Sequence, residues 1–296
     1  MNSPDPANLE AGLGKRRVEE TFLSLIQAQR LAATLDRDTA SLKNGEILPA
    51  GWHWTYFTPT AGRSALGADG HAERDGFLPA PLPRRMWAGG SIRFPGTLRI
   101  GEQATRTSTI QSIEQKDGRS GPLVFVTVLH QVTNQDGLAV EEEQNLVYLP
   151  ETPPGKKAGG GTRPAIPIPD GADWSEAYTA DEITLFRFSA LTFNSHRIHY
   201  DAPYATEVEG YPGLVVHGPL LALLLLDGGI RHATEDPSAG DTSTAWLPQH
   251  FRYRALRPLF CDEVFQLSGR QPTPGTMKLW AAHPERGVAT EAELVS

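Results

Sequence analysis

The stretch that decides the fold is residues 214–230, L-V-V-H-G-P-L-L-A-L-L-L-L-D-G-G-I. Its centre, residues 220–226, is apolar without a break, while His217, Pro219 and Asp227 interrupt the flanks. An apolar run this short cannot span a bilayer. Because a helix that is apolar on all sides must be buried by other elements, we predict a central helix enclosed by a sheet.

Two sets of strands flank this helix. Alternation of apolar and polar residues predicts eight β-strands, over residues 91–98, 103–114, 123–134, 143–148, 250–255, 263–269, 276–283 and 288–296. Apolar residues at helical spacing predict a helix over 18–35 and the start of another at 179–187. Residues 44–82 are rich in glycine, proline and aromatic residues, which predicts an irregular and partly buried loop.

The chain of 296 residues divides into two halves around a segment rich in proline and glycine. We predict one unit over 1–150, a linker over 151–173 and a second unit over 174–296. Both halves run from a short helix through loops into an antiparallel meander, and residues 33–36 can be aligned with 191–194. These matches are short and leave a duplication undecided. Since the first half has no counterpart to the long apolar helix, it would be a degenerate copy.

Composition and charge limit the classes of partner and the cellular compartment that the chain can have. The formal net charge is −8, which disfavours binding to the phosphate backbone of nucleic acids. The single cysteine, Cys261, rules out an intrachain disulfide and fits a reducing compartment. Residues 1–20 contain no apolar run of the kind that a secretory signal needs. We therefore expect a cytoplasmic protein that binds neither nucleic acid nor membrane.

Residues 192–201, T-F-N-S-H-R-I-H-Y-D, hold the densest group of chemically capable side chains. Further along, His217 and Gly218 stand at the start of the apolar helix. The first N–H groups of a helix have no internal acceptor and carry the positive end of its dipole. Because such a donor can stabilise negative charge on an oxygen, the pattern indicates chemistry on a carbonyl group.

This stretch resembles the MaoC-like, R-specific enoyl-thioester hydratase family, whose hotdog domains carry the motif aspartate-x-asparagine-proline-aliphatic-histidine. Residues 194–199 match this motif and keep its final pair as Ile198-His199, and residues 215–218 match the start of the family's central helix. The resemblance implies a double hotdog, an α+β fold in which two antiparallel sheets each wrap a helix. It also implies that His199 acts on water and that the Gly218 N–H binds the thioester oxygen.

The chain departs from the family motif at Asn194, which occupies the aspartate position. An amide cannot accept a proton, although it can orient a water molecule through hydrogen bonds. We therefore predict that His199 is the principal proton acceptor and that Asn194 positions the water. Asp201 is either an assisting group or the N-cap of a short helix over 203–207.

Three blocks of the first half add a second resemblance: 82–91 (L-P-R-R-M-W-A-G-G-S), 119–126 (R-S-G-P-L-V-F-V) and 142–144 (E-E-Q). They look like the subfamily of double-hotdog proteins that includes mesaconyl-CoA (C4) hydratase, itaconyl-CoA hydratase and the type 2 hydroxyacyl-thioester dehydratases. Arg84 and Arg85 are either a solvated pair or a bidentate contact for a phosphate or a carboxylate. The predicted substrate contacts are Arg84, Arg85, Trp87, Gly89, Arg197 and His217.

These residues predict reversible addition of water to an α,β-unsaturated acyl-CoA thioester, in a site that the second half provides and the first half shapes. The resemblance favours mesaconyl-CoA or itaconyl-CoA as the substrate and a hydroxy-dicarboxyl-CoA of the citramalyl-CoA type as the product. One alternative is a 3-hydroxyacyl-thioester dehydratase of fatty-acid synthesis. Another is a non-catalytic protein that binds acyl thioesters, in which Asn194 marks lost chemistry.

Neither a metal nor a separate cofactor is expected. His196, His199 and Asp201 can be drawn as a ligand set, but no further strong ligand follows at motif spacing. Coenzyme A enters only as part of the substrate. We expect the chain to form a homodimer or a larger homo-oligomer.

Overall fold

The structure, a computed structural model, describes residues 11–72, 76–79, 81–118, 121–150, 164–234 and 247–296. Its strands are β1 (Arg16–Phe22), β2 (Arg84–Arg93), β3 (Gln103–Gly118), β4 (Gly121–Asn134), β5 (Gly137–Leu149), β6 (Trp174–Thr179), β7 (His250–Ala255), β8 (Val264–Thr273), β9 (Thr276–His283) and β10 (Gly287–Val295). Its α-helices are α1 (Leu25–Thr34), α2 (Glu182–Thr192) and α3 (Gly218–Thr234). Within the described ranges, none of these helices is long and apolar enough to cross a membrane.

All ten strands form one antiparallel sheet with the order β1-β3-β4-β5-β2-β7-β10-β9-β8-β6. Read from its two edges, the sheet repeats one pattern, since β1-β3-β4-β5-β2 has the same order as β6-β8-β9-β10-β7. The two halves join where β2 pairs with β7, with Ser91 opposite Arg252. The expected double hotdog is therefore confirmed, and the repeated topology favours a duplication.

The apolar stretch forms α3, as predicted. Its residues 220–226 are all buried, and the helix packs against β8, β9 and β10 of the second half. Two glycines of α3 allow the sheet to pack closely against this helix. A Cβ on Gly228 would lie 2.9 Å from Trp174, and one on Gly229 would lie 2.8 Å from Leu294.

No long helix occupies the corresponding place in the described part of the first half. Between α1 and β2, the described residues form the 3₁₀ turns Trp52–Thr55 and Arg63–Ala65. Buried aromatic residues of this loop, Trp52, Tyr56 and Phe57, join the core that α3 dominates. The predicted irregular and partly buried loop is therefore confirmed over its described residues.

Three predicted boundaries were wrong. Residues 18–35 are not one helix, because β1 precedes α1 and pairs along its length with β3. β2 begins at Arg84 rather than at Ser91 and ends at Arg93, shortly before Pro95, which has no N–H for the ladder. β6 was missed because it follows directly on the proline-rich segment. Residues 1–10 and 151–163 lie outside the described residues, so the domain boundaries and the linker stay predictions.

Candidate active site

The loop of residues 193–201, here named the motif loop, begins where α2 ends. Phe193 adopts a left-handed conformation with φ of 50°, which stops the helix. The Asn194 N–H then donates to the Ser189 carbonyl over 2.9 Å. The Asn194 side chain turns back, and its Oδ1 accepts from the His196 N–H at 3.0 Å. The amide NH₂ of Asn194 is thereby left for other partners on the wall of a cavity.

His199 is buried and held in one tautomer. Its Nδ1 lies 2.7 Å from the Val215 carbonyl oxygen, and a carbonyl can only accept, so Nδ1 carries the proton. Nε2 therefore has a free lone pair in neutral His199. Burial lowers the pKa of His199 to about 4, although the Val215 hydrogen bond opposes the shift. The side chain is thus a neutral base at ordinary pH.

His217 lies behind His199 rather than on the cavity wall. The two rings stack with centroids 3.6 Å apart, and His217 Nε2 lies 2.9 Å from the Ser189 hydroxyl. His217 is fully buried, and burial together with the neighbouring His199 lowers its pKa well below the ordinary value. The predicted substrate contact of His217 is therefore not supported, because its ring instead fixes the plane of His199.

Gly218 opens α3 on the wall of the same cavity. A Cβ at this position would lie 3.0 Å from Cε3 of Trp87, so glycine lets the indole pack over the helix start. Pro219 follows and has no N–H to leave unpaired. The Gly218 N–H belongs to the first turn, whose donors have no acceptor within the helix. The position suits a donor to a substrate oxygen.

The two arginines at the start of β2 differ in their hydrogen-bond and ion-pair partners. Arg84 Nε pairs with Glu209 at 3.0 Å, and its Nη2 donates to the Tyr211 hydroxyl at 3.3 Å. Arg85 also lines the cavity, and no described residue forms a hydrogen bond or ion pair with its guanidinium. Burial lowers the pKa of His71, and the positive charge of Arg85 adds to this lowering. Arg85 is thus a half-buried cation facing the polar part of the cavity.

Two further predicted substrate contacts lie outside the cavity lining. Gly89 has a φ of 149°, and a Cβ there would lie 2.4 Å from the Tyr253 carbonyl, so its place is set by the pairing of β2 with β7. Arg197 binds Asp201 Oδ2 through two nitrogens at 2.9 and 2.7 Å. Asp201 Oδ1 accepts from the Tyr204 N–H at 3.1 Å. Asp201 therefore caps the following turn, as one of the two alternatives predicted, and does not reach the cavity.

Asp69 and His71 belong to no motif visible in the sequence, and the fold brings them to the motif loop. His71 Nδ1 lies 2.8 Å from Asp69 Oδ2, and the His71 ring lies 4.0 Å from that of His196. Burial alone would raise the pKa of Asp69, but the two hydrogen bonds from His71 and the charges of His71 and His196 together outweigh it and lower the pKa to about 2. No motif signalled this pair, because Gly70 and Ser195, where the two loops meet, are 125 positions apart.

Among the described residues, Asp69, His71 and His196 also form the only group with three possible metal-binding atoms within 4.8 Å of one another. However, both Asp69 oxygens and Nδ1 of His71 are already engaged in the Asp69–His71 pair. The predicted alternative set of His196, His199 and Asp201 does not converge, because Asp201 faces Arg197. Asp69 and Nδ1 of His71 are thus paired with each other, and the absence of a metal stays a prediction.

The cavity has a volume of about 1590 Å³ and draws its walls from both halves. Asn194, His196, His199 and Gly218 come from the second half, and Trp87, Ser108, His130 and Gln144 come from strands of the first. Most ligand cavities are smaller, at roughly 300–1,000 Å³. A long ligand with a polar reacting group fits these walls.

Comparisons with known proteins show which family the chain resembles and which structures share its fold. The family model described as hydroxyacyl-thioester dehydratase type 2 matches residues 51–261. The mesaconyl-C(4)-CoA hydratase of Chloroflexus aurantiacus is 44% identical over 97% of each chain. The mitochondrial hydroxyacyl-thioester dehydratase type 2 of Schizosaccharomyces pombe is 30% identical over 84% of this chain and 88% of its own. The crystal structure of a MaoC-like dehydratase from Phytophthora capsici shares the fold, with a TM-score of 0.67, 14% identity and 98% of each chain covered.

Proposed function

The chain belongs to the type 2 hydroxyacyl-thioester dehydratase family, and on this premise we propose that it adds water reversibly to the double bond of an α,β-unsaturated acyl-CoA thioester. The observation that carries the proposal is the tautomer of His199. Its Nδ1 donates to the Val215 carbonyl, which leaves the Nε2 lone pair for a water proton. Gly218 lies on the wall of the same cavity.

The reaction needs a water that is held and deprotonated, and a thioester oxygen that is stabilised. In the proposed mechanism the Asn194 NH₂ and His199 Nε2 hold the water against the β-carbon. As the C–O bond forms, Nε2 takes a proton from the water. The electrons of the double bond move towards the thioester oxygen, where the Gly218 N–H and the dipole of α3 stabilise the charge.

Mesaconyl-CoA is the proposed substrate, with itaconyl-CoA as the second choice and a hydroxy-dicarboxyl-CoA of the citramalyl-CoA type as the product. The relative at 44% identity is named for mesaconyl-C(4)-CoA. The free carboxylate of such a substrate needs a cation close to the reacting carbons. Arg85 suits this role, because its charge acts on His71 and His196, which lie next to His199. Coenzyme A is the carrier part of the substrate, and no other cofactor is proposed.

A 3-hydroxyacyl-thioester dehydratase of fatty-acid synthesis is the second candidate, favoured by the 30% identity to a protein named hydroxyacyl-thioester dehydratase type 2. A substrate panel separates the two. Mesaconyl-C4-CoA, itaconyl-CoA and crotonyl-CoA are incubated with the protein, and the products are identified by mass spectrometry. Preference for crotonyl-CoA would favour the dehydratase. Folded protein that binds these thioesters and converts none of them would favour the non-catalytic alternative.

Two matched variants, tested on the same substrates, show which part of the substrate Arg85 contacts. Arg85→Gln should raise KM for mesaconyl-C4-CoA by about 10-fold or more, the scale of a lost charge-assisted hydrogen bond, and should leave KM for crotonyl-CoA unchanged. Arg84→Gln is the control, because Glu209 already neutralises Arg84. An equal rise in both KM values would place Arg85 on coenzyme A instead of on the carboxylate.

We also propose that the protein works in the cytoplasm as a homo-oligomer. Supporting self-association, Ile183 and Phe186 of α2 are 62% and 67% exposed, and exposed apolar patches often mark protein contacts. Light scattering on the purified chain tests this, and Phe186→Ser should shift the mass towards the monomer if α2 lies in the interface.

A further inference from the structure

The loop of residues 66–72 is fastened to the motif loop by direct hydrogen bonds. The Ser195 hydroxyl donates to the Gly70 carbonyl over 2.6 Å. The Arg197 N–H donates to the Asp69 carbonyl over 2.8 Å, and its Nη1 donates to the Ala68 carbonyl over 3.0 Å. A Cβ on Gly70 would lie 1.9 Å from the Ser195 carbonyl oxygen, so the close approach requires glycine. These contacts give Asp69 and His71 fixed positions beside the catalytic histidine.

Both carboxylate oxygens of Asp69 accept hydrogen bonds from His71. Its Oδ1 accepts from the His71 N–H at 2.9 Å, and its Oδ2 accepts from His71 Nδ1 at 2.8 Å. The carboxylate therefore fixes the tautomer of the ring and leaves Nε2 with a lone pair in neutral His71. A carboxylate in this place also stabilises an imidazolium that forms during a reaction. Among the described residues, the hydrogen-bond partner of the His199 ring is only the neutral Val215 carbonyl, so His71, which is paired with a carboxylate, is the better place for a positive charge.

The histidine rings form a row along the cavity. His71 and His196 have centroids 4.0 Å apart, and His196 and His199 have centroids 5.5 Å apart. All three line the cavity. Because the described rings share no hydrogen bond with one another, a proton on His199 would reach His71 through a water molecule in this cavity.

Hydration requires a second proton transfer, because the α-carbon must receive a proton. The family motif has a carboxylate at the position of Asn194, and an amide cannot take that part. We propose that His71, positioned by Asp69, is the catalytic group that protonates the α-carbon, replacing the acid–base function that Asn194 lacks. This inference rests on the proposed hydratase function.

The atoms balance when all three histidines begin neutral. One O–H bond of water breaks, its oxygen bonds to the β-carbon, and its proton goes to His199 Nε2. The π bond opens to an enolate at the thioester oxygen. A second water molecule in the cavity takes this proton from His199 Nε2 and gives one of its own protons to His71 Nε2, which passes it to the α-carbon, where a C–H bond forms. The rings end neutral, and in the reverse direction neutral His71 removes the α-proton.

The test separates the two protons. A saturated acyl-CoA, methylsuccinyl-CoA, is incubated in D₂O, and exchange of its α-hydrogen is followed by NMR alongside hydration of mesaconyl-C4-CoA. His71→Gln should lower both rates by about 10²–10⁴-fold, the usual scale for a positioned acid–base group. His199→Gln should lower hydration by a similar factor and keep α-hydrogen exchange within a few-fold of wild type. Asp69→Asn should reduce exchange less than His71→Gln does, because Asp69 only positions His71.

His232→Gln is the matched control, since His232 also pairs with a carboxylate, that of Glu176, at 2.7 Å but lies outside the cavity lining. It should leave both rates unchanged. Full α-hydrogen exchange in a folded His71→Gln, with exchange lost in His199→Gln, would assign both protons to His199 and overturn the inference. Stoichiometric binding of Zn²⁺ that His196→Ala abolishes would also overturn it. If wild type hydrates no substrate of the panel, the proposed function itself fails.

Discussion

Burial of His199 makes a quantitative prediction about acid. The ring is 7% exposed, and burial lowers its pKa from 6.5 to about 4. As a neutral base it should stay active well below pH 6.5. We expect kcat/KM for the unsaturated thioester to hold steady from pH 7 to pH 5 and to fall only as the pH approaches 4. An acid limb centred near 6.5 would refute the buried, neutral base.

The same shift opposes folding in acid. Between pH 6.5 and pH 4 the unfolded chain protonates this histidine and the folded chain does not, so the unfolded state binds more protons and stability falls as the pH falls. For these two pKa values, the loss between pH 7 and pH 5 is about 2 kcal/mol. Urea unfolding at both pH values measures it. His199→Gln should reduce the loss by this amount.

A matched variant tests whether burial of histidine causes the loss of folding stability between pH 7 and pH 5. His130 on β4 is also buried, and burial lowers its pKa to about 4 as well. His130→Gln should therefore reduce the acid loss of stability as His199→Gln does. If neither variant alters the difference between pH 7 and pH 5, the folded protein admits the proton to these rings and the argument from burial fails.

Three further predictions concern single contacts. Gly218→Ala should lower kcat/KM by roughly 10- to 10²-fold, because its Cβ would lie 3.0 Å from Trp87 and push the indole into the site; steady-state kinetics measures this. Asn194→Asp should keep the hydrogen bond from the His196 N–H and retain turnover with an added proton acceptor, so a loss beyond 10-fold would contradict the water-positioning role. Glu142→Ala should lower the free energy of unfolding by about 3–5 kcal/mol, measured in urea, because buried Glu142 accepts from His53 and Trp54.

Local sequence pattern predicted the elements that it controls and missed those that depend on distant partners. α3 could be predicted because its apolar signal is contiguous in the sequence, over residues 220–226. β1 could not, because its strand conformation is stabilised by pairing with β3, which lies far along the chain. His199 and Gly218 could be found within one contiguous motif. Asp69 and His71 could not, because tertiary contacts alone bring them to that motif.

Side-chain partners explain the other differences at the site. Two adjacent arginines, Arg84 and Arg85, are equivalent in sequence, and only the fold shows that Glu209 neutralises the first. Arg197 lies inside the motif loop and was a reasonable substrate contact, yet Asp201 four residues later binds it. A charged residue close to a catalytic motif therefore becomes a binding residue only if the fold leaves it without a counter-ion.

The absence of a long helix from the described residues of the first unit accounts for the size and the chemistry of the site together. In the second unit the sheet packs on α3, whereas in the described part of the first unit Ser108, Val128, His130 and Leu146 of β3–β5 line the cavity instead. Space that a helix would fill in a complete unit is thus available to a long ligand. The described residues between α1 and β2 form only short 3₁₀ turns and loops, so the loop that carries Asp69 and His71 can cross to the motif loop of the other unit. A degenerate copy therefore supplies both the pocket and, on our proposal, the proton donor that Asn194 cannot be.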